Sequence, residues 1–126
     1  MPTSADVLPL LERYCAAMTS QNREAWLDCF TDDARQEDPV GAPVNIGREA
    51  IGKFFDENIN DLTLSVTAPP IVIGNEVIAF LRVDIMMGDQ KMELPRIVDH
   101  ILLNDEGTKF ASLRAFFDYS ELRPAQ

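Results

Sequence analysis

Three side chains carry the chemistry that this sequence can offer. The first is Asp99, in the run Ile97-Val98-Asp99-His100-Ile101-Leu102-Leu103. Side chains alternate along a strand, so Asp99 shares its face with Ile97, Ile101 and Leu103, while Arg96 and His100 fall on the other. A carboxyl group on an apolar face either finds a buried cation or keeps its proton and becomes a neutral hydrogen-bond donor. A structural aspartate at a bulge or strand edge is the third reading. The second side chain is Tyr14, set among Leu10, Leu11, Cys15 and Met18. That stripe turns its ring inward, where a tyrosine hydroxyl needs a partner; a core residue and a donor to a ligand share this signature. The third is Asp38, in Gln36-Glu37-Asp38-Pro39-Val40-Gly41. The proline that follows holds Asp38 in extended geometry, and alternation points Glu37 the opposite way. Such a carboxylate is either a solvated loop charge or a general base beside apolar Val40.

One base and two neutral acids in apolar surroundings suit proton transfer on an uncharged, hydrophobic substrate. No basic cluster is present to hold phosphate or several carboxylates. The chain also lacks G-x-S-x-G, a glycine-rich phosphate loop and H-E-x-x-H. One histidine and two separated cysteines supply no metal-ligand set, and Cys15 and Cys29 read as free buried thiols. With a net charge of −10, the chain repels nucleic acid and anionic membrane surfaces alike. No apolar run reaches the roughly 18 residues of a membrane span, and the first residues lack the pattern of a signal peptide. The expected location is the cytoplasm.

The elements that must position these groups follow from periodicity. Val7, Leu11, Tyr14 and Met18 predict a first helix, with Asp6 as N-cap and Pro9 in its first turn. Asn22 caps a second, whose apolar face is Trp26, Leu27 and Phe30. Asp32-Asp33 reads as a charged turn, Arg35 to Asp38 as a short extended piece and residues 39–47 as a loop. A third helix is expected over Arg48 to Asn58, with Ile51, Phe54, Phe55 and Ile59 apolar. Beyond Asp61 the period changes to two. Strands are expected at 62–68, ended by Pro69-Pro70, and at 71–73. Another follows along Val77, Ala79, Leu81, Val83 and Ile85, and then one over 91–103, where Pro95 marks a bulge or an edge. A last strand places Ala111, Leu113, Ala115 and Phe117 on one face, with Phe110 and Phe116 on the other. Residues 120–126 read as a loose tail. The 126 residues thus predict one α+β domain spanning 1–126: three N-terminal helices packed on a curved antiparallel sheet, with room for a pocket at one end.

Over nearly its whole length the chain resembles the Δ5-3-ketosteroid isomerases of the cone-shaped NTF2-like and SnoaL-like superfamily. The resemblance rests on Glu12-Arg13-Tyr14, Phe30-Thr31-Asp32-Asp33-Ala34 and Glu37-Asp38-Pro39-Val40-Gly41. It continues through Gly47, Ala50, Ile51 and Phe54, then Val98-Asp99-His100, Leu113-Arg114-Ala115 and Phe117. It implies that Asp38 is the general base, and that Tyr14 and a protonated Asp99 donate to a dienolate oxygen, as such isomerases do. It further implies a steroid-like substrate gripped by Phe54, Val83, Met86 and Phe117, no cofactor, and a homodimer packed through its sheet. Two features depart from the family pattern. Phe30 and Phe55 stand where members often carry supporting tyrosines, and the segment from Gly107 to Ser112 is one residue longer. A polyketide cyclase on the same scaffold and a non-catalytic carrier of a hydrophobic molecule are the competing readings. Epoxide hydrolysis by an Asp-Arg-Asp set finds no arginine in phase with Asp38 and Asp99.

Overall fold

Thr3 begins the first helix. Its hydroxyl accepts from the Asp6 amide at 3.2 Å, and the Asp6 carboxylate accepts from the Thr3 amide at 2.9 Å, a reciprocal capping box. In the computed structural model, which describes Met1–Gln126, helix α1 therefore spans Ser4–Thr19. Asp6 is not its N-cap but its third residue. Pro9 sits one turn deeper than expected, where it removes a helix hydrogen bond. Asn22 does cap α2 (Arg23–Leu27), accepting from the Ala25 amide at 3.2 Å.

The helices are not all N-terminal. Strands β1 (Phe30–Glu37) and β2 (Asn45–Ile46) precede α3 (Gly47–Asn58). Then come β3 (Leu62–Ile73), β4 (Glu76–Met87), β5 (Gln90–Leu103) and β6 (Phe110–Phe116), followed by a 3-10 turn (Tyr119–Glu121) and β7 (Arg123–Pro124). The sheet order is β2-β1-β6-β5-β4-β3, with β7 added to β5. Because β1 runs parallel to β6 while the other pairs are antiparallel, the curved sheet is mixed and not purely antiparallel. The α+β class stands; the arrangement of helices and strand directions is corrected.

Asp32 and Asp33 disguise the first strand. They are part of β1, but the ladder pairs Phe30 with Phe110 and next Arg35 with Ser112. The two exposed aspartates lie in the stretch of β1 pushed out between these pairs, which looks like a turn in the sequence. Pro69-Pro70 does not end its strand either. β3 is the sheet's edge, where missing amide donors leave no ladder partner unsatisfied, and it continues through two register shifts to Ile73.

Two bulges set the inward phase of the central strands. At Pro95-Arg96 the partners jump from Leu81–Ile97 to Val83–Leu94, so Leu94 and Ile97 both point inward. At Ala111 they jump from Leu102–Ser112 to Leu103–Phe110. Phe110 therefore joins Leu113 in the core instead of facing away. Phe116 is outward and 42% exposed, with the Arg114 guanidinium 5.3 Å from its ring centre. The inner face of the sheet, α1, α2 and α3 bury one continuous apolar cluster that includes Leu11, Trp26, Ile51, Leu81 and Ile101.

The tail is ordered because it satisfies a buried carboxylate. Glu93, 5% exposed, accepts from Arg82 at 3.2 Å, Arg123 at 3.4 Å and the Gln126 amide at 3.0 Å. Arg123 and Pro124 pair with Glu93 and Met92, and the Ala125 amide donates to the Lys91 carbonyl. No helix is long and apolar enough to cross a membrane.

Candidate active site

Asp38, Ala115 and Asp99 form a row across three strands. Glu37 is level with Arg114 on β6, so the next residue, Asp38, comes level with Ala115, and Ala115 pairs with Asp99 on β5. The Val40 amide donates to the Ala115 carbonyl at 2.8 Å, which holds the loop after β1 against this point. Two strand spacings separate the Asp38 and Asp99 backbones by roughly 10 Å, with only the Ala115 methyl between them. Both carboxyl groups face the sheet's inner side and line one cavity with Tyr14, which α1 brings over the sheet. Phe54, Val83 and Phe117 line the same cavity.

Met86 does not. It is out of phase with inward Val83 and Ile85 and is 44% exposed near the β4–β5 hairpin. Alternation alone excludes it. Sequence reasoning also missed inward Leu94, which the Pro95 bulge brings to the face of Ile97, and Leu64 on β3 as lining residues. Asn58 and Tyr119, the remaining polar lining residues, are exposed and mark the mouth. Tyr119, just past the last expected strand and before the tail expected over 120–126, continues the inward alternation of Ala115 and Phe117, the signal that could have found it. A wider depression on the sheet's outer side, lined by Arg96, Val98, Phe116 and Glu121, holds no buried carboxyl group.

Neighbouring carboxylates meet opposite fates. Glu37 points outward; the Gly41 amide and then the Arg114 guanidinium, each at 2.9 Å, hold its pKa below the usual range. Asp38 points inward, and burial alone pushes its pKa up to about 6. Asp99 is 2% exposed and its Oδ1 has no hydrogen-bond partner. The nearby basic side chains are engaged on the opposite face: Arg96 with Glu121, Arg82 with Asp84 and Glu93, and His100 with Glu76. Burial and then the charge of Asp38 raise the Asp99 pKa well above its ordinary value. Of the two options for a buried carboxyl group, the structure supports the neutral acid. The same causes raise Tyr14: burial first, then Asp99 and Asp38, so its hydroxyl keeps its proton. Cys15 and Cys29 are free and buried.

Tyr14 is located by rings. Phe110 lies at 5.5 Å and Phe30 at 6.1 Å, both edge-on, with Trp26 at 5.8 Å. Trp26 in turn packs on Phe54 and Phe55. Phe30 and Phe55 offer no hydroxyl, so aromatic packing alone orients the Tyr14 ring on this side.

Tyr14, Asp38 and Asp99 fall within a recognisable domain. A family model described as the SnoaL-like domain matches residues 11–112. The chain belongs to the SnoaL-like family. Among its curated relatives is the steroid Delta-isomerase of Nocardioides simplex, 30% identical over 90% of this chain and 91% of that protein. Solved structures share the fold. RV0760c from Mycobacterium tuberculosis matches with TM-score 0.82 at 23% identity, over 99% of both chains. SalBIII, an epoxide hydrolase/cyclase-like enzyme of pyran ring formation in salinomycin, matches with TM-score 0.81 at 23% identity, over 93% and 94%.

The buried acid also leaves a mark on stability. Folding raises the Asp99 pKa, so as pH climbs the unfolded chain loses this proton first and the native state loses relative stability. This contribution is complete at pH below about 4 and declines above it, toward the raised native pKa. Asp99→Asn should therefore gain on the wild type as pH rises from about 5 to about 8. Urea midpoints of the two proteins across that range read the difference; a constant gap would mean that Asp99 ionises normally.

Proposed function

We propose that this chain is a cofactor-independent isomerase that moves the double bond of 3-oxo-Δ5 steroids, or closely related β,γ-unsaturated ketones, into conjugation. The observation that carries the reading is Asp99. A carboxyl group buried without a cation, in a cavity shared with a tyrosine and a second carboxylate, favours the neutral donor form. In this reading Asp38 removes the proton from the carbon between the ketone and the double bond. Tyr14 and Asp99 donate to the oxygen of the resulting dienolate. Asp38 then returns the proton two carbons further along. Donors held in a site that excludes water meet the developing charge without reorganising, and this usually contributes more to the rate than any other effect. Phe54, Val83 and Phe117 grip the rings. The cavity, at 170 Å³, is smaller than the roughly 300–1,000 Å³ that encloses a drug-sized ligand. A fused-ring substrate is thus held at its reacting end, with the far end at the mouth by Asn58 and Tyr119. A homodimer packed through the sheet would cover outward Val98 and Phe116.

Absorbance tests this directly. Purified protein with 5-androstene-3,17-dione should build the ultraviolet band of a conjugated enone. Because the base must be ionised, kcat/KM should fall tenfold per pH unit below pH about 6 and level off above it. Absence of the band at any pH rejects the isomerase and leaves the cyclase or the carrier.

A further inference from the structure

Gln36 is fully buried in β1, on the inward face it shares with Ala34 and, two residues on, Asp38. Its Oε1 accepts from Asn45 Nδ2 at 3.0 Å, and its Nε2 is buried without a hydrogen-bond partner. Leaving a buried amide donor unpaired is costly, and an apolar side chain of similar volume would fill the same space without that cost. On the same inward side, two residues further along the chain, lies the Asp38 carboxylate, whose pKa is moved by burial with no hydrogen bond contributing. A donor lacking an acceptor and an acceptor lacking a donor therefore sit two residues apart on the inward side of the chain, where β1 gives way to its loop. Of the two ends of the amide, the N–H end is the one that suits a carboxylate.

We infer that Gln36 is the positioning residue of Asp38: its Nε2–H donates to the ionised carboxylate, through a small side-chain rotation or one bridging water. The other groups facing Asp38 supply no such donor in the plane of β1. α1 brings Tyr14 and β5 brings Asp99, the two donors for the substrate oxygen, and the turn after β6 brings Tyr119 to the mouth. Ala115 and Phe54 are apolar, and Glu37 and Arg114 are paired on the far side. The Gln36 amide strengthens its hold when Asp38 is charged and relaxes when Asp38 carries the substrate's proton. It thereby keeps one carboxylate aligned over both carbons between which the proton moves. The role of Asp38 as base rests on the isomerase reading; the hydrogen bond does not.

The test is a titration. Protein carrying carbon-13 at its aspartate carboxyls is followed by NMR through the acidic and neutral range, with the Asp38 signal identified by its loss in Asp38→Asn. In Gln36→Met, which keeps the volume and removes the donor, Asp38 should titrate about one unit higher. The lower limb of kcat/KM should move by the same amount, and the plateau above it should fall as the carboxylate loses its alignment. Gln36→Val, suited to a strand, serves if the methionine variant does not fold. Folded variants with an unmoved Asp38 titration overturn the inference even if the steroid is turned over. A shifted titration without steroid turnover leaves the hydrogen bond standing and rejects only the isomerase.

Discussion

Asp38→Asn should bind a 3-oxo-Δ5 steroid as tightly as the parent and isomerise it about 10²–10⁴-fold more slowly. The substitution changes one oxygen for one nitrogen, so the loop against Ala115 and the cavity walls keep their shape. What disappears is the lone pair that takes the proton. Glu37 cannot replace it, since it is on the other face, bound to Gly41 and Arg114. The loss should therefore fall on kcat and leave KM little changed. The variant should also lack the acidic limb of the pH profile, because the group that titrates near pH 6 is gone. Undiminished turnover would remove Asp38 from the mechanism; loss of binding along with turnover would make it a structural carboxylate.

Removing either oxyanion donor should cost nearly as much. Tyr14→Phe and Asp99→Leu are each expected to lower kcat by about 10²–10³-fold, the usual effect of deleting one preorganised donor. The decisive comparison lies within one position. Asp99→Asn keeps an N–H donor of nearly the same shape and should retain far more activity than Asp99→Leu, which keeps none. If Asp99 instead acted as a charge, both variants would fail equally. Because both donors serve one oxygen, the double variant Tyr14→Phe with Asp99→Leu should fall short of the product of the single effects. A hydrophobic carrier would bind its ligand equally well in all of these proteins and turn over nothing.

Much of this site is readable from local chemistry, and what is not has physical causes. The inward face of Asp99 follows from strict alternation between Ile97 and Leu103, which the structure keeps. Tyr14 follows from the helical stripe. The fate of the Asp99 carboxyl group is another matter: whether a cation reaches it depends on Arg82 and Arg96, held on the outer face by Asp84 close by and by Glu93 and Glu121 further along the chain. Bulges are the second obstacle. Phe110 and Leu94 change faces because one partner strand holds an extra residue, and pairing partners are not written in a single strand's pattern. The charged stretch of β1 fails for the same reason, its aspartates being solvated inside a strand. The tail fails because its order comes from Glu93, a carboxylate buried by the very residues that the tail supplies. Met86 is different: the period-two rule on β4 already excludes it, and the resemblance overrode the rule.

The parallel ladder between β1 and β6 has one last consequence, for biosynthesis. Glu37 and Arg114, ion-paired at 2.9 Å, are 77 positions apart in the chain. While a ribosome still holds β6, the strand bearing Asp38 has only the two-residue β2 beside it, and the alanine that parts the two acids has not emerged. Contacts this distant in sequence form late and slowly. A nascent chain can own every group of the site and still be inert, gaining its activity only when the closing strand is released.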